Sequence, residues 1–282
     1  MEQNKSRTYI HNPFEKKECP KCGHKYDALQ PACPKCQEPF ETERAVPFNK
    51  VTFTNPWIEI ALFLTGWLGL RLVVSIVGKI LSELINNGTL VMTNLEANSA
   101  LNFITYGTLF PIVLAIAILY LPKIIKSFAK PEMLWGIMVF IVVLGFNIVW
   151  GTITKEMGAS NNDNQERVDD IAKMNLPLSL LFLGVIGPIV EEFTYRVGLF
   201  NFTRRINRVL GYVVSALVFG LIHMSFDATS DPLSEWLSYP IYVFAGLSFA
   251  FAYEKWGLGA SALAHITNNV FSLLLVYYQQ AQ

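Results

Sequence analysis

From Trp57 onward the chain consists of long apolar stretches, and these decide what it can fold into. Seven can be drawn, over 57–85, 101–121, 132–153, 176–203, 209–225, 236–254 and 257–278. A helix needs ~20 apolar residues to cross the hydrocarbon of a bilayer. In lipid, a single segment satisfies its backbone hydrogen bonds internally only as a helix. Each stretch reaches or approaches that length, the fifth being the shortest. The expected fold class is an all-α polytopic membrane protein of about seven transmembrane helices over 56–278. Charged residues make up 16% of the chain, where a soluble protein carries about 25%. The formal net charge is zero, so no global field draws in nucleic acid or an acidic partner.

The connecting segments predict an orientation. The loops near Lys123, Lys126 and Lys130, and near Arg204, Arg205 and Arg208, are basic. The loops at 86–100, at 154–175 (Asp163, Glu166, Asp169, Asp170) and at Asp227, Asp231 and Glu235 are neutral or acidic. Basic and non-basic loops alternate, as the positive-inside bias requires for a cytoplasmic N-terminus. Seven spans then put the C-terminus outside a multi-pass cell-membrane protein. The N-terminus has no apolar core followed by a small-residue cleavage site, so no signal peptide is expected.

All four cysteines precede residue 40, as Cys19-Pro20-Lys21-Cys22 and Cys33-Pro34-Lys35-Cys36. Two such knuckles offer four thiolates that can close tetrahedrally around Zn²⁺. Gly23 supplies a permissive backbone at the turn after the first pair. A segment this short has no hydrophobic core, so the metal would supply its folding free energy. The alternative is two disulfides, which need an oxidising compartment; a cytoplasmic N-terminus favours metal. His24 is expected at the surface. The domain plan is a polar tail (1–16), a zinc ribbon (17–40), a linker (41–55) and the membrane domain. The segment 17–40 resembles the short zinc ribbons that precede membrane domains in bacterial proteins. That implies structural zinc and contact with a cytosolic protein partner. Residues 1–50 carry nearly balanced charge, so nucleic acid is an unlikely partner.

Ionisable groups inside the apolar stretches are the exceptions to be explained, because each costs roughly 2.5–3.5 kcal/mol at membrane depth on insertion scales. Arg71 and Lys79 in the first stretch are expected to snorkel or to pair structurally. The fourth stretch carries Glu191, Glu192 and Arg196, the fifth His223, and the seventh His265 and Asn269, with Asn268 beside them. The fourth and fifth spans turn near residue 207, which places Glu191 and His223 each about 24 Å from the turn. His265 and Asn269 lie roughly 15 and 21 Å past the turn at Lys255. These groups can therefore meet in one layer. Glu192 and Arg196, at i and i+4, can pair on one helix face and leave Glu191 turned elsewhere. His265 and Asn269 share a face for the same reason. Pro188 removes a backbone hydrogen bond to Gly184 and loosens the turn before Glu191.

Glu191-Glu192-x-x-x-Arg196, Phe219-x-x-x-His223 and His265-x-x-x-Asn269, in this order on separate membrane stretches, resemble the motif set of the CPBP family. These are the CAAX-prenyl endopeptidase and bacteriocin-processing or immunity (Abi) proteins. The resemblance covers about residues 100–278. It implies an intramembrane glutamate protease without a catalytic metal. Glu191, aided by His223, would activate water; His265 and Asn269 would hold the oxyanion; Glu192 and Arg196 would be supporting groups. The chemistry agrees with those roles, since hydrolysis needs a base for water and donors aimed at the developing oxyanion. The substrate would be a peptide or membrane-protein segment in the bilayer. A competing reading is a non-enzymatic immunity or regulatory protein that binds a partner through the same fold and the ribbon. A transporter is disfavoured, because no paired repeats with matching broken helices are visible.

Overall fold

The computed structural model describes residues 16–19, 21–27, 33–37, 55–227 and 230–280. The chain divides into two units, Met1–Phe48 and Asn49–Gln282. The expected polar tail and linker lie almost wholly outside the described residues.

In the first unit, β1 (Lys16–Glu18) and β2 (Lys25–Asp27) pair antiparallel. The turn between them is a knuckle: Gly23 N–H donates to the Cys19 carbonyl at 2.8 Å and Cys19 N–H to the His24 carbonyl at 3.0 Å. Gly23 has φ +66°, the left-handed conformation that favours glycine. His24 is exposed, as expected.

The second unit is helical. Its elements are α1 (Pro56–Asn86), α2 (Asn94–Ile116), α3 (Leu121–Phe128), α4 (Trp135–Glu156) and α5 (Asp163–Met174). They are followed by α6 (Leu176–Arg204), α7 (Arg208–Leu221), α8 (Pro232–Trp256) and α9 (Leu258–Gln280). Helix starts carry the signals expected of them. Asn55 accepts from Trp57 N–H ahead of Pro56, and Thr93 and Glu96 form a reciprocal capping box at α2. Among the described residues, six helices are long and apolar enough to span a membrane. The fifth expected span is shorter: α7 has 14 residues, about 21 Å of helix. It ends at Leu221, so His223 lies just beyond the helix. The protein is a multi-pass membrane protein.

Helix α6 is the centre of this unit. Half of its apolar window is buried, against 11% to 39% for the other spans. It packs on α1 through small residues that let backbones approach, as membrane helices commonly do. A Cβ on Gly198 would lie 2.8 Å from the backbone nitrogen of Phe63, and one on Gly66 would overlap the Thr194 side chain. Ion pairs fix the basic end of α6. Glu59, fully buried, takes two hydrogen bonds from Arg205 at 2.6 and 2.8 Å. Glu254 accepts from Arg204 at 2.6 Å, Arg208 at 2.8 Å and the Tyr212 hydroxyl at 2.6 Å. Arg71 and Lys79 sit on the exposed face of α1, away from these clusters. The Arg71 guanidinium lies over the Trp67 ring.

Candidate active site

Helix α6 does not wind uniformly. Leu180–Ile186 and Glu192–Phe200 are π-helical, and Gly187–Glu191 between them is α-helical. Wide turns of this kind recur at functional sites. Glu191 and Glu192 fall at the second junction and are 8% and 0% exposed. Their side chains diverge, as expected, and each meets a different set of partners.

Glu192 faces inward. Arg196 Nε lies 3.5 Å from its Oε2, and the Ser261 hydroxyl donates to the same oxygen. Its Oε1 lies 3.0 Å from Nδ1 of His265. The Arg196 guanidinium, fully buried, is flanked by the rings of Phe219 at 4.5 Å and Phe249 at 5.4 Å. Aromatic faces thus supply much of the counter-environment for a cation inside the bundle.

Glu191 faces the cavity. Tyr106 donates to its Oε1 at 2.9 Å. Its Oε2 is buried and has no hydrogen-bond partner among the described residues. Two imidazole nitrogens approach that oxygen: Nε2 of His265 at 3.6 Å and Nε2 of His223 at 4.0 Å. These gaps exceed a direct hydrogen bond and suit a bridging water.

The other nitrogen of each ring is already engaged. His223 Nδ1 lies 2.7 Å from the Phe219 carbonyl. A carbonyl only accepts, so Nδ1 carries the hydrogen and Nε2 is the basic nitrogen when the ring is neutral. This contact also caps the end of α7, where carbonyls lose their intrahelical donors. The His223 ring stacks on Tyr242 at 4.4 Å, and Asn162 donates to the His223 carbonyl at 2.8 Å. For His265, the Glu192 carboxylate assigns the hydrogen to Nδ1 by the same logic.

Asn269 lies on the same face of α9 as His265, one turn further. Its amide donates to the Leu183 carbonyl at 3.1 Å. Pro188 follows Leu183 by five residues, the spacing of a π-turn, and has no N–H to give. Asn269 therefore satisfies a carbonyl that the wide turn leaves open. The hydrogen-bond gap expected at Gly184 falls at Leu183 instead, because the local winding is π.

A cavity of about 120 Å³ adjoins this layer, lined by Tyr106, Glu191, His223, Tyr242 and Asn269, with Asn164 and Gln165 of α5 among the remaining walls. The structure thus brings Glu191, Glu192, Arg196, His223 and His265 together, with Asn269 bordering the same cavity. Tyr106, Ser261 and Tyr242 were not anticipated. Ser261 was legible, because Ser261, His265 and Asn269 repeat every four residues on one face of α9. Tyr106 lies 85 residues from its partner Glu191 and left no such signal.

The four cysteine sulfurs form a separate site in the first unit, all within 4.8 Å of one another. Cys19 and Cys36, and Cys22 and Cys33, are each 3.6 Å apart. A disulfide needs about 2.05 Å, whereas the sulfurs of a tetrahedron with metal–sulfur bonds of about 2.3 Å are about 3.8 Å apart. The four residues fit a metal ion.

The membrane-helical bundle thus brings paired carboxylates and two histidines from separate helices to one cavity. Residues 173–271 match the family model described as type II CAAX prenyl endopeptidase Rce1-like. That segment is similar in sequence to the Rce1-like CAAX protease domain, in keeping with the family the motifs resemble, and it contains every motif residue. The chain is 26% identical over 152 residues to the membrane-embedded CAAX protease MroQ of Staphylococcus aureus, covering 50% of this chain and 56% of MroQ. It is 30% identical over 169 residues to an uncharacterized protein of Mycoplasma capricolum, covering 55% and 48%. It is 25% identical over 149 residues to YdiL of Bacillus subtilis, covering 51% and 56%. The chain spans about half the length of these relatives. No solved structure matches it.

Proposed function

We propose that the protein is an intramembrane endopeptidase that hydrolyses a peptide bond of a membrane-associated protein or peptide, with no catalytic metal. The observation that carries this reading is the Glu191 carboxylate oxygen that has no hydrogen-bond partner among the described residues, with Nε2 of His223 and of His265 within 4.0 Å. Glu191 Oε2 and His223 Nε2 present lone pairs there, and a water between them has protons to give. Glu191 and His223 are the base: as the water oxygen bonds to the substrate carbonyl carbon, one of its protons passes to the Glu191 carboxylate. His265, as an imidazolium whose Nδ1–H is held by the Glu192 carboxylate, donates from Nε2 to the oxyanion. The second amide hydrogen of Asn269 can add to that donor set. Collapse breaks the C–N bond, and the proton held by Glu191 leaves on the amine. Preorganised donors of this kind are worth about 10²–10³ in rate. Glu192, Arg196 and Ser261 fix the imidazole and do not touch the substrate.

Zn²⁺ is the metal that four cysteines at this spacing select, and its role in the ribbon is structural. The ribbon is suited to bind a cytosolic protein partner. The loop charges support a cytoplasmic N-terminus and, counting α7 as a crossing, a C-terminus outside. Leader removal from a secreted or signalling peptide, or degradation of a bacteriocin, fits a membrane-embedded site.

The test compares, by mass spectrometry, membrane and secreted peptides from cells making wild-type protein or Glu191→Gln at equal levels. A peptide cut only by wild type supports the enzyme. Identical peptides, with any phenotype intact in Glu191→Gln and His223→Ala, would replace it with the reading of a partner-binding immunity or regulatory protein.

A further inference from the structure

A second cavity, about 420 Å³, reaches His223 and His265 from the side. Its walls are the C-terminal halves of α4 and α9 with part of α8, and Asn162, Gln165 and Asp169 at α5 close one end. Helices α4 and α9 touch closely near their starts, where a Cβ on Gly136 would lie 2.4 Å from the Ala260 carbonyl oxygen. Further along, Leu144, Asn147 and Ile148 of α4 face Ser272, Leu275 and Val276 of α9 across the cavity.

The α8 side is closed. Phe146 stacks on Phe244 at 4.0 Å, and Trp150 donates to the Leu237 carbonyl at 2.7 Å. Between α4 and α9 the rim is apolar at Ile148, 60% exposed, and Leu275, 44% exposed, while Asn268, Ser272 and Gln279 of α9 add polar lining. On two membrane-spanning helices this exposed apolar part of the rim faces the bilayer.

Asn147 is the feature of this groove that packing does not explain. An amide on a spanning helix normally finds a partner, because an unmet polar atom away from water is costly. The Asn147 Oδ1 is buried and has no hydrogen-bond partner among the described residues. It lines the same cavity as both histidines.

We propose that this groove admits the scissile segment sideways from the bilayer as unwound peptide, and that Asn147 Oδ1 accepts one of its backbone N–H groups. This rests on the endopeptidase reading and adds the entry route and a substrate-binding residue. A segment unwound for cleavage exposes backbone N–H groups that lipid cannot satisfy, and a fixed amide oxygen beside the histidines meets one of them.

The test uses the full chain carrying Glu191→Gln, in phosphatidylcholine–phosphatidylglycerol vesicles. The probe is a leucine–alanine peptide of about 25 residues, long enough to span, with a central glycine pair that lets it unwind. A photo-crosslinking residue replaces Ile148, Leu275 or, as a control on another exposed surface, Ile118. Peptide adducts are expected at 148 and 275 and not at 118. Adding Asn147→Leu should cut them about fivefold to tenfold, the loss of one hydrogen bond, and Asn147→Asp, which keeps an acceptor, should restore most of the yield. Equal adducts at all three positions, adducts to lipid alone, no adducts, or no effect of Asn147→Leu in a folded protein would each overturn the proposal. Failure of the underlying reading is separable, because it shows as equal hydrolysis, or none, by wild type and Glu191→Gln, whatever the adduct pattern.

Discussion

His265 bridges the two carboxylates: its Nδ1 lies 3.0 Å from Glu192 and its Nε2 3.6 Å from Glu191. One glutamate thus sets the ring that the other works beside. Glu192→Gln keeps the shape but removes the anion that supports the doubly protonated His265 ring. Turnover should fall about 10²-fold or more, by analogy with losing an orienting carboxylate or an oxyanion donor, with KM little changed. Kinetics on a reconstituted substrate check this. The same change strips the buried Arg196 of its anion, which costs about 3–5 kcal/mol, so thermal unfolding in detergent must accompany the rates.

Gly198 and Gly145 offer a paired test of the bundle. A Cβ at Gly198 meets the Phe63 backbone at 2.8 Å, whereas nothing lies within 4 Å of one at Gly145. Gly198→Leu should push α1 off α6 and cost about 1–3 kcal/mol or more, visible as a lower melting temperature and poor yield. Gly145→Ala should be neutral or slightly stabilising.

The ribbon and the membrane site should separate. Cys19→Ser with Cys22→Ser is expected to abolish bound zinc, measured by atomic emission, while hydrolysis of a short peptide persists. Loss of hydrolysis in a variant that still folds would show that the two sites are coupled.

Asp231 caps α8, the helix that presents Tyr242. Its carboxylate accepts from Ser234 N–H and O–H and from Leu233 N–H, and the Ser234 contacts hold its pKa below the usual carboxylate value. A depressed folded pKa gives stability that is complete above the ordinary aspartate value and is lost as pH falls through the lowered one. Asp231→Asn should therefore lower the melting temperature at pH 7, and the difference from wild type should close in acid below pH ~4.

Much of this arrangement could be read from the chain. Charges in apolar stretches are expensive enough that Glu191, Glu192, Arg196, His223 and His265 had to find one another, and equal path lengths along neighbouring helices placed them at one depth. Phe219 is explained by the structure alone, since its ring lies on Arg196 while its carbonyl holds His223. Hydropathy could not place His223 beyond the end of α7, because Ile222 and Met224 continue the apolar run after the backbone has left the helix. The π-turns of α6 were equally hidden, because a one-residue change in winding leaves an all-apolar sequence unchanged. Tyr106 and Asn162 meet the site through long-range packing that leaves no local period.

The hydrogen bond from Asn269 to the Leu183 carbonyl has a consequence for biosynthesis. A chain made from its N-terminus inserts α6 well before α9, so α6 enters the membrane with a backbone oxygen that its own helix cannot cover. Helix α9 brings the amide that covers it, together with His265. A chain stopped at Gly257 would hold Glu191 and Glu192 in an unfinished pocket. Under the endopeptidase reading, the insertion of α9 both completes the backbone of α6 and assembles the proposed site.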